Sequence, residues 1–184
     1  VLFPGVIIGI SSVALISYLS SIFFKHDYLF NLIFLSLGIV FFIFGFKNII
    51  NKKKKFLIFF LVFSVLLIFI SIGKNHDDFP YYHFPYSIFL TEFSHPLGLG
   101  NLNNGFRSPS SIFFINSMFY LPKIKYYLFH ITPALILGFS NLILLGIIFE
   151  KKINQKVHVI NILGLILLIF LNIFFYRLAE HGTD

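Results

Sequence analysis

The most constraining feature of this chain is a repeated one: stretches of about 20 residues with almost no charge, separated by short polar breaks. A helix needs about 20 mostly apolar residues to cross a bilayer. Runs of this kind fall at about 5–24, 28–46, 56–72, 127–149 and 157–176. A soluble protein does not hide so many of them in 184 residues. Composition agrees: 58% of residues are hydrophobic and 11% charged, with a mean hydropathy of +0.90. A soluble domain is about 45–50% apolar and about 25% charged. The expectation is an all-α fold, a polytopic transmembrane helical bundle of about five spans forming one domain over residues 1–184.

The breaks set the orientation. Lys25-His26-Asp27 separates the first two runs, Lys52-Lys53-Lys54-Lys55 precedes the third, and Lys151, Lys152 and Lys156 lie between the last two. Lysine clusters mark the cytoplasmic side, so the N-terminus is expected in the cytoplasm and residues 73–125 outside. The tail after Tyr176 falls on the same side as that outer loop, whatever the absolute orientation. Asn31, Gly38 and Gly45 share one face of the second run, a small-residue face suited to close helix packing. Ile112–Leu121 is apolar but too short to cross, which fits a helix lying in the interface or a re-entrant piece. Thr132-Pro133 reads either as a helix start or as a kink within a longer helix. Val1 in place of Met, and a polar tail that stops at Asp184, predict the front part of a longer protein.

Net charge is +7, but no basic surface with interleaved aromatics of the nucleic-acid kind is present. Cysteine is absent, which excludes disulfides and thiol chemistry. No phosphate-binding glycine loop of the nucleotide type occurs. Lys, Arg, Asp and Glu are missing from the middle of the spans, which gives little support to an ion-coupled pathway. The expected partner is membrane lipid, with no nucleic acid.

Polar chemistry concentrates in the outer loop, where Asp77, Asp78, Tyr82, His83, Asn101 and Arg107 are the candidates. A carboxylate there can act as a general base for an acceptor hydroxyl. The Asp77–Asp78 pair can also hold a divalent metal cation that offsets phosphate charge, or it can be a solvated turn. His76, His83 and His95 are potential ligands or proton donors without a zinc spacing. Tyr81, Tyr82 and Tyr86 read as an aromatic belt or as sugar-stacking rings. Arg107, followed by Ser108, Ser110 and Ser111 and then an apolar helix, suits bidentate phosphate binding or snorkelling to headgroups. Glu180 and Asp184 in the tail return acidic groups to the same side and allow a composite site.

These stretches carry a resemblance. Asp78, Tyr82-His83, Gly98-Leu99-Gly100-Asn101-Leu102, Arg107 and Ser110-Ser111, with Arg177, Glu180, Gly182, Thr183 and Asp184 in the tail, resemble an uncharacterised bacterial family of large polytopic membrane proteins, the DUF8201 family. Asn103-Asn104 departs from that pattern, which commonly has a His after Asn-Leu. The family is similar in layout to the membrane-embedded glycosyltransferases of GT-C type, which use polyprenyl-phosphate-linked sugars. Those enzymes place an acidic catalytic residue in the first large outer loop, among short surface-parallel helices. The resemblance implies a cell-envelope glycosyltransferase or polysaccharide polymerase in a bacterial inner membrane. Asp77 or Asp78 would be base or metal ligand, Arg107 would hold the lipid phosphate, and Tyr82 and His83 would line the sugar site. The alternatives are a transporter or flippase for a lipid-linked glycan and a non-catalytic assembly subunit.

Overall fold

A computed structural model describes residues 2–50, 57, 60, 61, 64, 76–94, 98–149 and 155–174. Among these residues the chain is helical, with no strand beyond one isolated bridge between Leu121 and Lys125. Helix α1 spans Leu2–Phe23 and α2 spans Tyr28–Ile50. A π-helical turn, Phe79–His83, runs into α3, Phe84–Glu92. Two 3-10 turns follow, Leu99–Asn101 and Asn104–Phe106, then the short α4, Ser111–Ser117. A last 3-10 turn, Tyr126–Leu128, precedes α5, Ile131–Phe149, and α6, Gln155–Phe174.

The long helices form where the apolar runs predict them. Asp27 caps α2: its Oδ1 accepts the Phe30 N–H at 3.0 Å, satisfying a donor that the first turn leaves without an intrahelical partner. That bond is the main reason the Asp27 carboxyl is held below its usual range. Pro133 falls in the first turn of α5, where its missing N–H costs nothing, so the helix starts at Ile131 without a kinked extension. Among the described residues, two segments are long and apolar enough to cross a membrane, Tyr28–Gly45 and Tyr126–Ile148. Ile7–Phe23 and Val159–Phe174 are shorter apolar helices. The expected span at 56–72 lies almost wholly outside the described residues.

The outer loop is the largest departure from expectation. Residues 79–118 fold into a helical cap with its own core, built from Tyr86, Leu90, Leu99, Phe106, Phe113 and Phe114. Tyr86 meets the rings of Phe106, Phe113 and Phe114 at centroid distances of 5.3–5.7 Å. Aromatic rings bury large areas and gain from edge-to-face contact. Tyr86 is therefore a core residue and not part of an interfacial belt, and burial pushes its hydroxyl up to about 12. Likewise α4 is not a surface-lying helix. Phe113 through Met118 are all buried, and α4 packs against α1, α3 and α5.

Helix α1 meets α4 through a face of small residues. Ser17 and Ser21 are fully buried, their hydroxyls donating to the Ala14 and Tyr18 carbonyls of their own helix, and the Tyr18 ring meets Phe114 edge-on at 5.1 Å. The opposite face, with Ile8, Leu15, Leu19 and Phe23, is exposed. Helices α5 and α6 pack antiparallel. A Cβ on Gly164 would stand 3.2 Å from Ile148, and Asn141 and Asn172 exchange amide hydrogen bonds of 3.2 and 2.6 Å. On α2 the small-residue face is only partly used: Asn31 is fully buried, whereas Gly38 and Gly45 have no described neighbour within 4 Å of a Cβ position.

Candidate functional site

The acidic pair lies where the cap begins. Asp78 precedes the π-helical turn, and its carbonyl accepts the Tyr81 and Tyr82 N–H groups. Its carboxylate makes no capping bond, is about half-exposed, and has Oδ2 3.4 Å from His76 Nδ1. The same Nδ1 lies 3.2 Å from the Asp78 N–H. A neutral His76 accepts that N–H, and a protonated one pairs with the carboxylate. Asp77 is exposed.

Four residues after Asp78, Tyr82 is half-buried and its ring lies over Gly105. A Cβ on Gly105 would stand 2.7 Å from Tyr82 Cβ, so only glycine lets the Asn104–Phe106 turn close on the π-helical turn. Asn103 ties the two together. Its Nδ2 donates to the Tyr81 carbonyl at 3.2 Å, and its Oδ1 accepts the Gly105 N–H at 2.9 Å. The sequence marks Asn103 only as a departure from the family pattern and not in this role, although Asn-Asn-Gly is the kind of stretch in which a side chain caps its own turn. Arg107 ends that turn, exposed, with its Cγ 3.1 Å from where a Cβ on Gly100 would be. Among the described residues Arg107 has no ion-pair partner. Asn101 is exposed in the adjoining 3-10 turn, beside Gly98, whose φ of +88° a β-carbon disfavours.

The fold therefore brings Tyr82 and the turn that ends in Arg107 together, with Asn101 in the adjoining 3-10 turn and Asp78 at the head of the π-helical turn that carries Tyr82. His83 is separate. It is 2% exposed, stacked on Tyr82 at 4.4 Å and edge-on to Phe113 at 4.9 Å. This position backs the Tyr82 ring from inside and does not share a surface with Asp78. At the start of α4, Ser110 Oγ accepts the Ile112 N–H at 3.3 Å and caps the helix. His95, Glu180 and Asp184 lie outside the described residues. Among the described residues no three His, Asp or Glu side chains gather as a metal site would require.

A groove of about 720 Å³ opens between the C-terminal end of α3 and the glycine turn, lined by Phe89, Glu92, Phe93, Gly98 and Leu99. Glu92 is its one charged group among the described residues.

A second polar cluster holds the cap to the long helices. His26, in the α1–α2 turn, is fully buried. Its backbone N–H donates to the Leu90 carbonyl at 2.8 Å. Its Nδ1 lies 2.6 Å from Ser117 Oγ and its Nε2 lies 2.9 Å from Ser20 Oγ, and each serine hydroxyl also reaches a carbonyl of its own helix, Phe114 at 2.7 Å and Ser17 at 3.1 Å. A neutral ring donates to one of these serines and accepts from the other. Asn31 Nδ2 donates to the carbonyls of His26, Ser117 and Tyr120 at 2.8–2.9 Å. Burial lowers the His26 imidazole from 6.5 to about 4, so it is neutral at physiological pH.

Fold and site together define an all-helical protein in which apolar helices carry an aromatic-cored cap with an acidic and a basic group on its surface. The chain belongs to the DUF8201 family, described as a domain of unknown function, which it matches over residues 2–184. No curated protein and no solved structure matches it.

Proposed function

We propose that the chain is a five-span membrane protein of the bacterial inner membrane and that its outer cap carries a cell-envelope glycosyltransferase or polymerase site. The membrane reading is supported by the apolar surface of α1, α2 and α6, where large side chains such as Phe41, Phe44, Ile33 and Ile162 are more than half exposed. Soluble proteins rarely expose such continuous apolar faces. With the N-terminus cytoplasmic, the α1–α2 turn is on the same side as the cap, and the bonds from His26 to Leu90 and Ser117 agree with that arrangement.

The observation that carries the catalytic reading is the docking of the Arg107 turn on Tyr82 through Gly105, one helical turn from Asp78. The donor is a polyprenyl-phosphate-linked sugar. Asp78 takes the proton of an acceptor hydroxyl as its oxygen attacks the anomeric carbon. The bond from that carbon to the phosphate oxygen breaks, and the charge left on the lipid phosphate is met by Arg107. Tyr82, held between Gly105 and His83, fixes the position of the Arg107 turn relative to Asp78. A divalent cation at Asp77 and Asp78 would require a further ligand from outside the described residues. The test is sugar transfer from a polyprenyl carrier by the full-length protein in membranes. Asp78→Asn is expected to lower the rate about 100-fold or more, with Asp77→Asn affected less. Undiminished transfer by Asp78→Asn would remove that residue from the mechanism.

A further inference from the structure

The turn between α4 and α5 is strained in a way that nothing in the site requires. Lys123 and Lys125 have φ of +67° and +53°, the only positive-φ residues other than glycine among those described. Residues with a β-carbon adopt that region at a cost and keep it only where the surroundings hold it. Two short backbone bonds close the turn here, Lys125 N–H to the Leu121 carbonyl at 2.7 Å and Ile124 N–H to the Pro122 carbonyl at 2.8 Å. Tyr126 anchors it from behind, edge-on to Phe84 at 4.9 Å and stacked on Tyr127 at 4.8 Å.

The strain produces an exposed tip: Lys123 and Lys125 flank Ile124, which is 43% exposed, and Tyr127 beside them is 61% exposed. Neither lysine has an ion-pair partner among the described residues. The apolar segment Tyr126–Ile148 begins directly after the tip, which puts the turn at the boundary where headgroups lie if that segment crosses the bilayer. In the proposed topology these lysines stand on the side that lysine clusters avoid, and an anionic headgroup beside them would offset their charge. Two ammonium groups around one aliphatic side chain, with tyrosines below, match a headgroup phosphate above an acyl chain.

We infer that the 121–127 turn binds an anionic phospholipid, with Lys123 and Lys125 on the headgroup phosphate and Ile124 in the upper acyl region. The inference rests on the membrane reading and is independent of the glycosyl-transfer reading. The full-length protein is reconstituted in nanodiscs of phosphatidylcholine with or without phosphatidylglycerol, and co-purifying lipid is counted by native mass spectrometry. Wild type is expected to retain phosphatidylglycerol over phosphatidylcholine by about tenfold or more, two lysines near a surface being worth that much. The exposed pair Lys123→Gln/Lys125→Gln should lose the preference, and so should Lys123→Gly/Lys125→Gly, which also removes the backbone strain. Inorganic phosphate at millimolar concentration should not displace the lipid. Displacement by phosphate would assign the site to the free ion, and a preference unchanged in both double variants would overturn the inference. If carbonate extraction releases the wild-type chain from membranes, the membrane reading fails with it. Retention in membranes without lipid preference defeats this inference alone.

Discussion

Asn31→Leu is expected to destabilise the protein by about 3 kcal/mol or more, measured as unfolding in detergent or nanodiscs. The Asn31 amide serves three carbonyls, of His26, Ser117 and Tyr120, all within 2.9 Å. Leucine fills much the same volume and donates nothing. The Ser117 carbonyl keeps the Tyr120 N–H at 3.3 Å, whereas the His26 and Tyr120 carbonyls lose the Asn31 donor; buried acceptors left unpaired cost about 1–3 kcal/mol each. Gly38→Ala is the contrast. It lies on the same face of α2, but a Cβ there meets no described atom within 4 Å, so its effect should stay within about 0.5 kcal/mol. Equal effects of the two substitutions would refute the view that the cap is held by this amide.

His26 gives the same cluster a pH dependence. Its folded form resists protonation down to about pH 4 because it is desolvated, whereas the exposed imidazole titrates near 6.5. Between these values the opened chain binds more protons than the folded one. Stability therefore falls as the pH drops from about 6.5 toward 4, and is flat in this contribution below that. The full loss is about 3 kcal/mol, from roughly 1.4 kcal/mol for each tenfold change in proton affinity. His26→Gln should flatten the profile across this window. A wild-type profile already flat there would mean that the imidazole is charged in the fold or exposed.

Gly105→Ala is the second large effect. The added carbon would lie 2.7 Å from Tyr82 Cβ and 2.9 Å from Cγ. The Tyr82 Cβ is fixed to the backbone of the π-helical turn, so the Asn104–Phe106 turn must lift. Overpacking of this kind costs about 1–3 kcal/mol. Because Arg107 ends the lifted turn, sugar transfer should fall along with stability, and Asn103 should lose its bond to the Tyr81 carbonyl. Wild-type stability together with wild-type transfer in Gly105→Ala would show that the turn does not dock on Tyr82.

Long helices were legible because their signal is local. Each apolar run carries its own hydrogen bonds once helical, so 5–24, 28–46, 127–149 and 157–176 anticipate α1, α2, α5 and α6 to within a few residues at the described ends. The cap was not legible in this way. The stretch from Phe79 to Glu92 is aromatic on several faces and carries Pro80 and Pro85 near the starts of successive helical pieces. It shows neither a clean helical period nor a long apolar run. The site was half legible: glycines and an arginine mark the 98–107 turn, but their nearness to Tyr82 comes from Gly105 and Asn103 meeting residues more than 20 positions earlier.

The sequence alone, through runs of uncharged residues at helix-spanning length, determined that this chain is built of apolar helices and where each breaks. Tertiary structure decided what the breaks and loops are for. The three-residue break at His26 carries no local sign of importance, yet its partner Ser117 is 91 positions away. Apolar content decides where a helix runs, because backbone bonds are made within a few residues. Which polar side chain becomes buried, and against which carbonyl, depends on contacts across the fold, and no short stretch of sequence contains them.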